Sequence, residues 1–287
     1  MSDLRDNPLA VPGSDPPRIA RLAVNGTTLY AEVRGVGPAV LLIPGGAEDA
    51  EGWRPIAERL SDHTVVTYDR RGTLRSGTDD WPGQGSAQHA ADASALLTAL
   101  GLGDAVVFGG SSAGIIAVQM ALRHPGIVRR VLAFEPGYFC EVPHGPRLHG
   151  SILAVVRAHL EGHPDDWAGA YAAFVDATSS GHSPTIGGIL TAQAQEWHAR
   201  REAMDAEPFV RDDVAILTAE RVDHDALASA AVEVRFSHGR PSSPIFHDIA
   251  SNLAGIRGAV PDVIDGVDHA CYLKPDRMAA YISEHTD

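Results

Sequence analysis

The chain is poor in cysteine. Cys140 and Cys271 are its whole complement, too few for a disulfide framework, which favours a reduced, cytoplasmic protein. Positive charge is scarce as well: Lys and Arg total 23 against 37 Asp and Glu, for a net charge of −14. A nucleic-acid partner needs a basic face, so that class is set aside, together with an anionic membrane surface. No apolar run approaches the roughly 18 residues that span a bilayer. The opening stretch, MSDLRDNPLAVPGSDPPRIARL, carries no apolar core of the signal-peptide kind, so no export signal is expected. There is no C-x-x-C pair, no phosphate-cradling lysine loop and no dinucleotide glycine fingerprint after a first strand. His159 and His163 stand four apart, but Gly162 and Pro164 interrupt the helix face that would make them metal ligands. Neither a metal nor an organic cofactor is expected.

What is present reads as one α/β domain with a long insertion. Hydrophobic residues make up 44% and charged residues 21%, the balance of a globular chain. Strand-like segments at 18–24 and 27–34 flank Asn25-Gly26, a two-residue hairpin signal. Short β-rich runs follow at 39–44, 63–69, 105–109, 128–136, 231–239 and 259–264, giving eight strands. Helical patterns fall at 53–60, 86–100, after Ser112, near 245–254 and from about 275. Between 140 and 229 the strand rhythm stops and the sequence turns helical. The expected organisation is a core of residues 1–139 and 230–287 with a helical cap of 140–229 between its halves. The Pro-rich residues 1–17 form an N-terminal arm, packed on its own domain or on a neighbouring subunit; monomer and homodimer both stay open.

The most informative stretch is VVFGGSSAGIIAVQMALRHP, residues 106–125. Small residues separate a β-branched run from a helical run, and Gly110-Ser111-Ser112-Ala113-Gly114 fits G-x-S-x-G centred on Ser112. A sharp strand-to-helix turn of that kind exposes one serine hydroxyl. Ser112 is the expected nucleophile, with Ser111 as a packing or hydrogen-bonding neighbour. With this context the chain resembles the α/β-hydrolase superfamily over essentially its whole length. LLIPGGAEDAEGW stands at the place of the family's oxyanion loop, VVTYDRRGTLRSG at its following strand and turn, and DHACYLKPDRMAAYI at its histidine loop and last helix. The resemblance implies a mostly parallel eight-stranded sheet with helices on both faces. It also implies a general base at His269 and oxyanion donors in the N–H groups of Gly46 and Ala113.

The acid departs from the usual pattern. Three residues after Gly239, where many members carry Asp, this chain has Ser242. Glu135, near the end of VLAFEP, takes the expected role and keeps the order Ser, Glu, His; a loop acid such as Asp248 or Asp268, or a triad without a carboxylate, is the alternative. An acid on that strand is similar to the zearalenone hydrolases, which open a resorcylic macrolactone. The expected activity is therefore hydrolysis of a small-molecule carboxylic ester or lactone. A ligand receptor on a hydrolase scaffold and a cofactor-free perhydrolase remain as alternatives. Within the cap, Trp167, Tyr171, Phe174, Trp197 and Met204 are the candidates for lining a substrate pocket.

Overall fold

The computed structural model describes residues 7–82, 85–179 and 191–287. Residues 1–6 of the expected arm and 180–190 of the expected cap lie outside them. The hairpin of β1 (Arg18–Val24) and β2 (Thr27–Arg34) turns at Asn25-Gly26, both with positive φ. It is followed by β3 (Ala39–Ile43), β4 (Thr64–Tyr68), β5 (Ala105–Gly110), β6 (Val128–Phe134), β7 (Glu233–Gly239) and β8 (Asp262–Ile264). The sheet order is β1-β2-β4-β3-β5-β6-β7-β8, and only the β1/β2 and β2/β4 pairings are antiparallel.

Strands buried on both faces need apolar residues of both parities, and β3 (AVLLI) is buried throughout. Its alternate residues feed two cores. Leu41 and Ile43 pack with α2 (Gly85–Ala99) and α3 (Ser112–Arg123), whereas Val40 and Leu42 pack with Trp53 and Ile56 of α1 (Ala50–Ala57). Helix α1 begins three residues before the stretch read from the sequence, because the Asp49 carboxylate caps it by accepting from the Gly52 N–H at 2.8 Å. The described part of the arm is tied to this same helix. The Asn7 side chain donates to Glu51 O at 2.8 Å, and the Val11 N–H donates to Glu58 Oε2 at 2.6 Å.

Between β6 and β7 lie α4 (Gly145–Gly162), α5 (Trp167–Ser179), α6 (Ala192–Met204) and the short α7 (His224–Ser229). Ile152, Val156, Phe209, Val210 and Val214 form an apolar cluster of their own, which meets the core at Ala47. The last two helices, α8 (Pro244–Ile256) and α9 (Pro275–Ser283), flank β8, which is confined to three residues.

Asp205, just past α6, is 1% exposed, and neither carboxylate oxygen has a partner among the described residues. Burial pushes its pKa up to about 7 from an ordinary 3.8, with Arg70 and Arg201 opposing and Asp69 and Asp213 reinforcing the rise. The folded chain thus holds a proton that the unfolded chain releases near pH 4. This contribution is complete at low pH and is lost as pH climbs towards 7. Asp205→Asn should therefore raise Tm little at pH 4 and most at pH 8, as read by differential scanning calorimetry. Equal shifts at both pH values would contradict the assignment.

Candidate active site

The sharp turn between β5 and α3 sits at Ser111, one residue earlier than the sequence frame placed it. Ser111 has φ 55° and ψ −128°, a conformation that non-glycine residues avoid and that costs about 1–3 kcal/mol. The neighbours explain why the chain tolerates it. A Cβ on Gly109 would lie 2.3 Å from Ala113 O, and one on Gly114 would lie 2.9 Å from Pro136 Cα. Helix α3 can start this close to β5 and β6 only because those side chains are missing. The Ser111 N–H donates to Phe134 O at 3.1 Å, and its carbonyl accepts from the Gly137 N–H at 2.9 Å, locking the turn.

Ser112, expected at the sharp turn, lies one residue beyond it. Ser112 is the first residue of α3, 1% exposed, and its hydroxyl donates to the buried carboxylate of Asp213. Both frames fit the letters because Ala113 serves as the second small residue in Gly109-Gly110-Ser111-Ser112-Ala113. Of the two serines, Ser111 is the one with positive φ. The N–H that follows this turn residue is that of Ser112, and Ala113, the expected donor, lies one step deeper in the helix.

His269 lies on the loop after β8, with Nδ1 2.7 Å from Glu135 Oε2. Glu135 follows the last residue of β6, is fully buried, and turns at φ 43°. Its other oxygen accepts from the Gly239 N–H at 2.7 Å. A carboxylate held in this way fixes Nδ1–H on the imidazole and leaves Nε2 as the basic nitrogen. Phe246 stacks flat on the His269 ring, with centroids 4.1 Å apart and planes 11° apart. The alternative acids do not share this place. Asp248 is exposed on α8, Asp268 lines the cavity described next, and the buried Ser242 hydroxyl has no partner among the described residues.

Ser111, Ser112, Gly46 and His269 all line one cavity of about 590 Å³. Of the cap aromatics expected there, Tyr171 and Phe174 line it. Trp197 is buried beside His198 and Arg201 in a separate small pocket, Trp167 packs on the cap's apolar cluster, and Met204 is 51% exposed. Helix α5 lines the cavity along its length, from Ala168 to Thr178, whereas the polar sequence of α6 brings Ala199, Glu202 and Ala203 to it instead of its large residues.

Sequence reasoning missed Phe209, whose ring lies where a Cβ on Gly46 would come within 2.1 Å, and Glu48. Glu48 Oε2 accepts from the Gly45 N–H and from Trp53 Nε1–H, both at 2.7 Å. Burial raises its pKa to about 7 against those two hydrogen bonds and the nearby His269 and Arg70. Its position two residues beyond Gly45-Gly46 was the available signal.

A strained serine in a strand–turn–helix, a histidine after the last strand and an eight-stranded, mostly parallel sheet define a class, and the chain belongs to it. The α/β hydrolase fold family matches residues 38–182, half of the sequence. Among individual proteins, the chain is similar to the uncharacterized hydrolase YraK of Bacillus subtilis, 38% identical over 129 residues. That match takes in 44% of this chain and 47% of the Bacillus protein, so the chain spans about half the length of that relative. A longer match, 29% identical over 242 residues, joins it to the 2-(acetamidomethylene)succinate hydrolase of Mesorhizobium japonicum, covering 78% of this chain and 84% of that one. A solved α/β hydrolase from Sphaerobacter thermophilus superposes with a TM-score of 0.64 at 25% identity, covering 92% of this chain and 99% of that one. Among the described residues no helix is long and apolar enough to cross a membrane.

Glu135→Gln keeps the shape of the buried side chain and removes its charge. If Glu135 orients His269 for catalysis, this should lower kcat on an aryl ester by about 10²–10⁴-fold with a smaller change in KM. Steady-state kinetics with circular dichroism as the folding check would measure this. A folded Glu135→Gln chain with near-normal kcat, beside a crippled Asp268→Ala, would give the role to Asp268.

Proposed function

We propose that this protein is a serine hydrolase that cleaves an uncharged carboxylic ester or lactone, with Ser111 as nucleophile, His269 as general base and Glu135 as its orienting acid. The observation that carries this reading is the strained Ser111 in one cavity with a histidine whose Nδ1 is held by a buried carboxylate. His269 Nε2 takes the Ser111 proton as the hydroxyl oxygen adds to the substrate carbonyl. The N–H groups of Gly46 and Ser112 receive the negative charge on the tetrahedral oxygen. The C–O bond to the leaving group then breaks as the imidazolium protonates it, leaving an acyl group on Ser111. Water, deprotonated by His269, releases the acid and restores the serine.

The cavity wall argues for the charge of the substrate. Glu48, Asp176, Glu202 and Asp268 line it against a single cation, Lys274, and no arginine is among the described lining residues. Burial raises the pKa of Glu48 and Glu202 because this wall solvates a carboxylate poorly, and a substrate carboxylate would meet the same penalty. The Mesorhizobium relative is named for a dicarboxylate. A second anion here would face like charges, a juxtaposition that costs several kcal/mol. The remaining wall is apolar and aromatic, with Phe139, Phe174, Phe209 and Phe246, and its volume suits a drug-sized molecule such as a resorcylic macrolactone of the zearalenone type.

Two measurements test the reading. A fluorophosphonate probe should label Ser111 and fail on Ser111→Ala, which should also lose hydrolysis by at least about 10³-fold. Ser112→Ala should still be labelled. Labelling of the Ser111→Ala chain with loss of labelling in Ser112→Ala would return the nucleophile to Ser112. In a panel of aryl esters and macrolactones, with products identified by mass, neutral substrates should exceed the matching succinate half-esters in kcat/KM by about 10²-fold or more. Glu48→Gln should narrow that ratio. A preference for the half-esters would overturn the charge argument.

A further inference from the structure

The cap returns to the core through the turn Phe209–Val214, and one buried ion pair in that turn does more than fasten it. Asp213, fully buried, receives Arg70 Nη2 with both carboxylate oxygens at 2.9 Å, and also accepts the Ser112 hydroxyl. The same Nη2 donates to Gly45 O at 3.0 Å. Arg70 is 1% exposed, and its Nε and Nη1 have no partner among the described residues. A buried guanidinium with unbonded donors is a poor device for stability alone, since lost hydration is not replaced. All of its bonding converges on one nitrogen placed between the cap turn and the glycine loop.

The geometry of the peptide unit gives that placement a consequence. Gly45 O and the Gly46 N–H belong to one planar trans peptide and point in opposite directions. Anchoring the carbonyl to Arg70 therefore aims the N–H of Gly46 away from Arg70, and Gly46 lines the cavity. A cationic donor on the carbonyl also polarises the amide and strengthens that N–H as a donor. On the other side, Asp213 holds Ser112, whose N–H is the second donor, through its side chain. Phe209, four residues earlier in the same turn, covers Gly46.

We propose that Arg70 and Asp213 are positioning residues that set the two oxyanion donors, so that the oxyanion hole is complete only with the cap turn seated. The proposal rests on the reading of Ser111 as nucleophile. It separates from a plain structural role because it acts on the tetrahedral oxygen and not on the substrate's ground state.

The experiment compares Asp213→Asn and the apolar pair Arg70→Met with Asp213→Leu against the unaltered chain. The apolar pair leaves no uncompensated charge, and such replacements of buried ion pairs are commonly tolerated. Each chain is titrated with an aryl trifluoromethyl ketone, which forms a tetrahedral adduct, and with the matching methyl ketone, which serves as the ground-state analogue. The ratio of the two affinities should fall by about 10²-fold, in step with kcat, with KM changing far less; loss of a single oxyanion donor is worth about 10²–10³ elsewhere. A structural role alone would lower Tm and leave the ratio untouched. If either altered chain folds and keeps the parent ratio, the proposal is overturned. Ser111→Ala, run alongside with a fluorophosphonate, tests the reading beneath it: a labelled Ser111→Ala chain sinks that reading. An unlabelled one with an unchanged ketone ratio in the altered pair sinks only the positioning role.

Discussion

The turn at Ser111 is the constraint on which the rest of the site depends. Helix α3 must leave the end of β5 and pack at once beside β6, and this is possible only where Gly109 and Gly114 present no side chains. The backbone conformation left to Ser111 is an unfavourable one, held by hydrogen bonds to Phe134 and Gly137 on the neighbouring chain segment. Strain of a few kcal/mol persists because the sheet and helix around it are over-determined. Both serines line the cavity, and the hydroxyl of Ser112 is taken up by the buried carboxylate of Asp213.

From that turn outward, each element of the site is fixed by a group behind it. Glu135 holds the His269 ring, and the Gly239 N–H holds Glu135. The carboxylate that faces His269 thus comes from the end of β6, whereas Ser242, after β7, brings none. The two sites are close in space because β6 and β7 are neighbouring parallel strands. Displacement of the acid by one strand therefore leaves the histidine where it was.

Cap and core share the cavity wall: Tyr171, Phe174, Asp176, Glu202 and Phe209 come from the cap, and Glu48, Phe246 and Asp268 from the core. The cap's junction with the core is polar and buried, with Asp212 meeting His89 at 2.6 Å and Glu220 meeting the Ser86 N–H at 2.8 Å, beside the Asp213–Arg70 pair. Contacts of this kind demand a defined geometry, in contrast to an apolar interface that can slide. The cap turn is consequently registered against the glycine loop that it covers.

Much of this was legible in the sequence because it rests on local rules. The hairpin at Asn25-Gly26, the doubly buried run of β3, the alternation of strand and helix and the helical stretch after β6 all follow from periodicity and turn chemistry. His269 and Glu135 were legible too, since their places at the ends of strands follow from topology. The choice between two adjacent serines was not. Both frames satisfy the same letters, and it is the backbone, with its positive φ at Ser111, that locates the turn. Nor could composition tell Tyr171 and Phe174 from Trp197 and Met204, because a helix's inward face is set by what it packs against. The sequence by itself determined the order of strands and helices and the kinds of chemistry at their ends. The tertiary structure decided which hydroxyl, which rings and which buried ion pair face the same few ångströms, because those are relations between residues far apart along the chain.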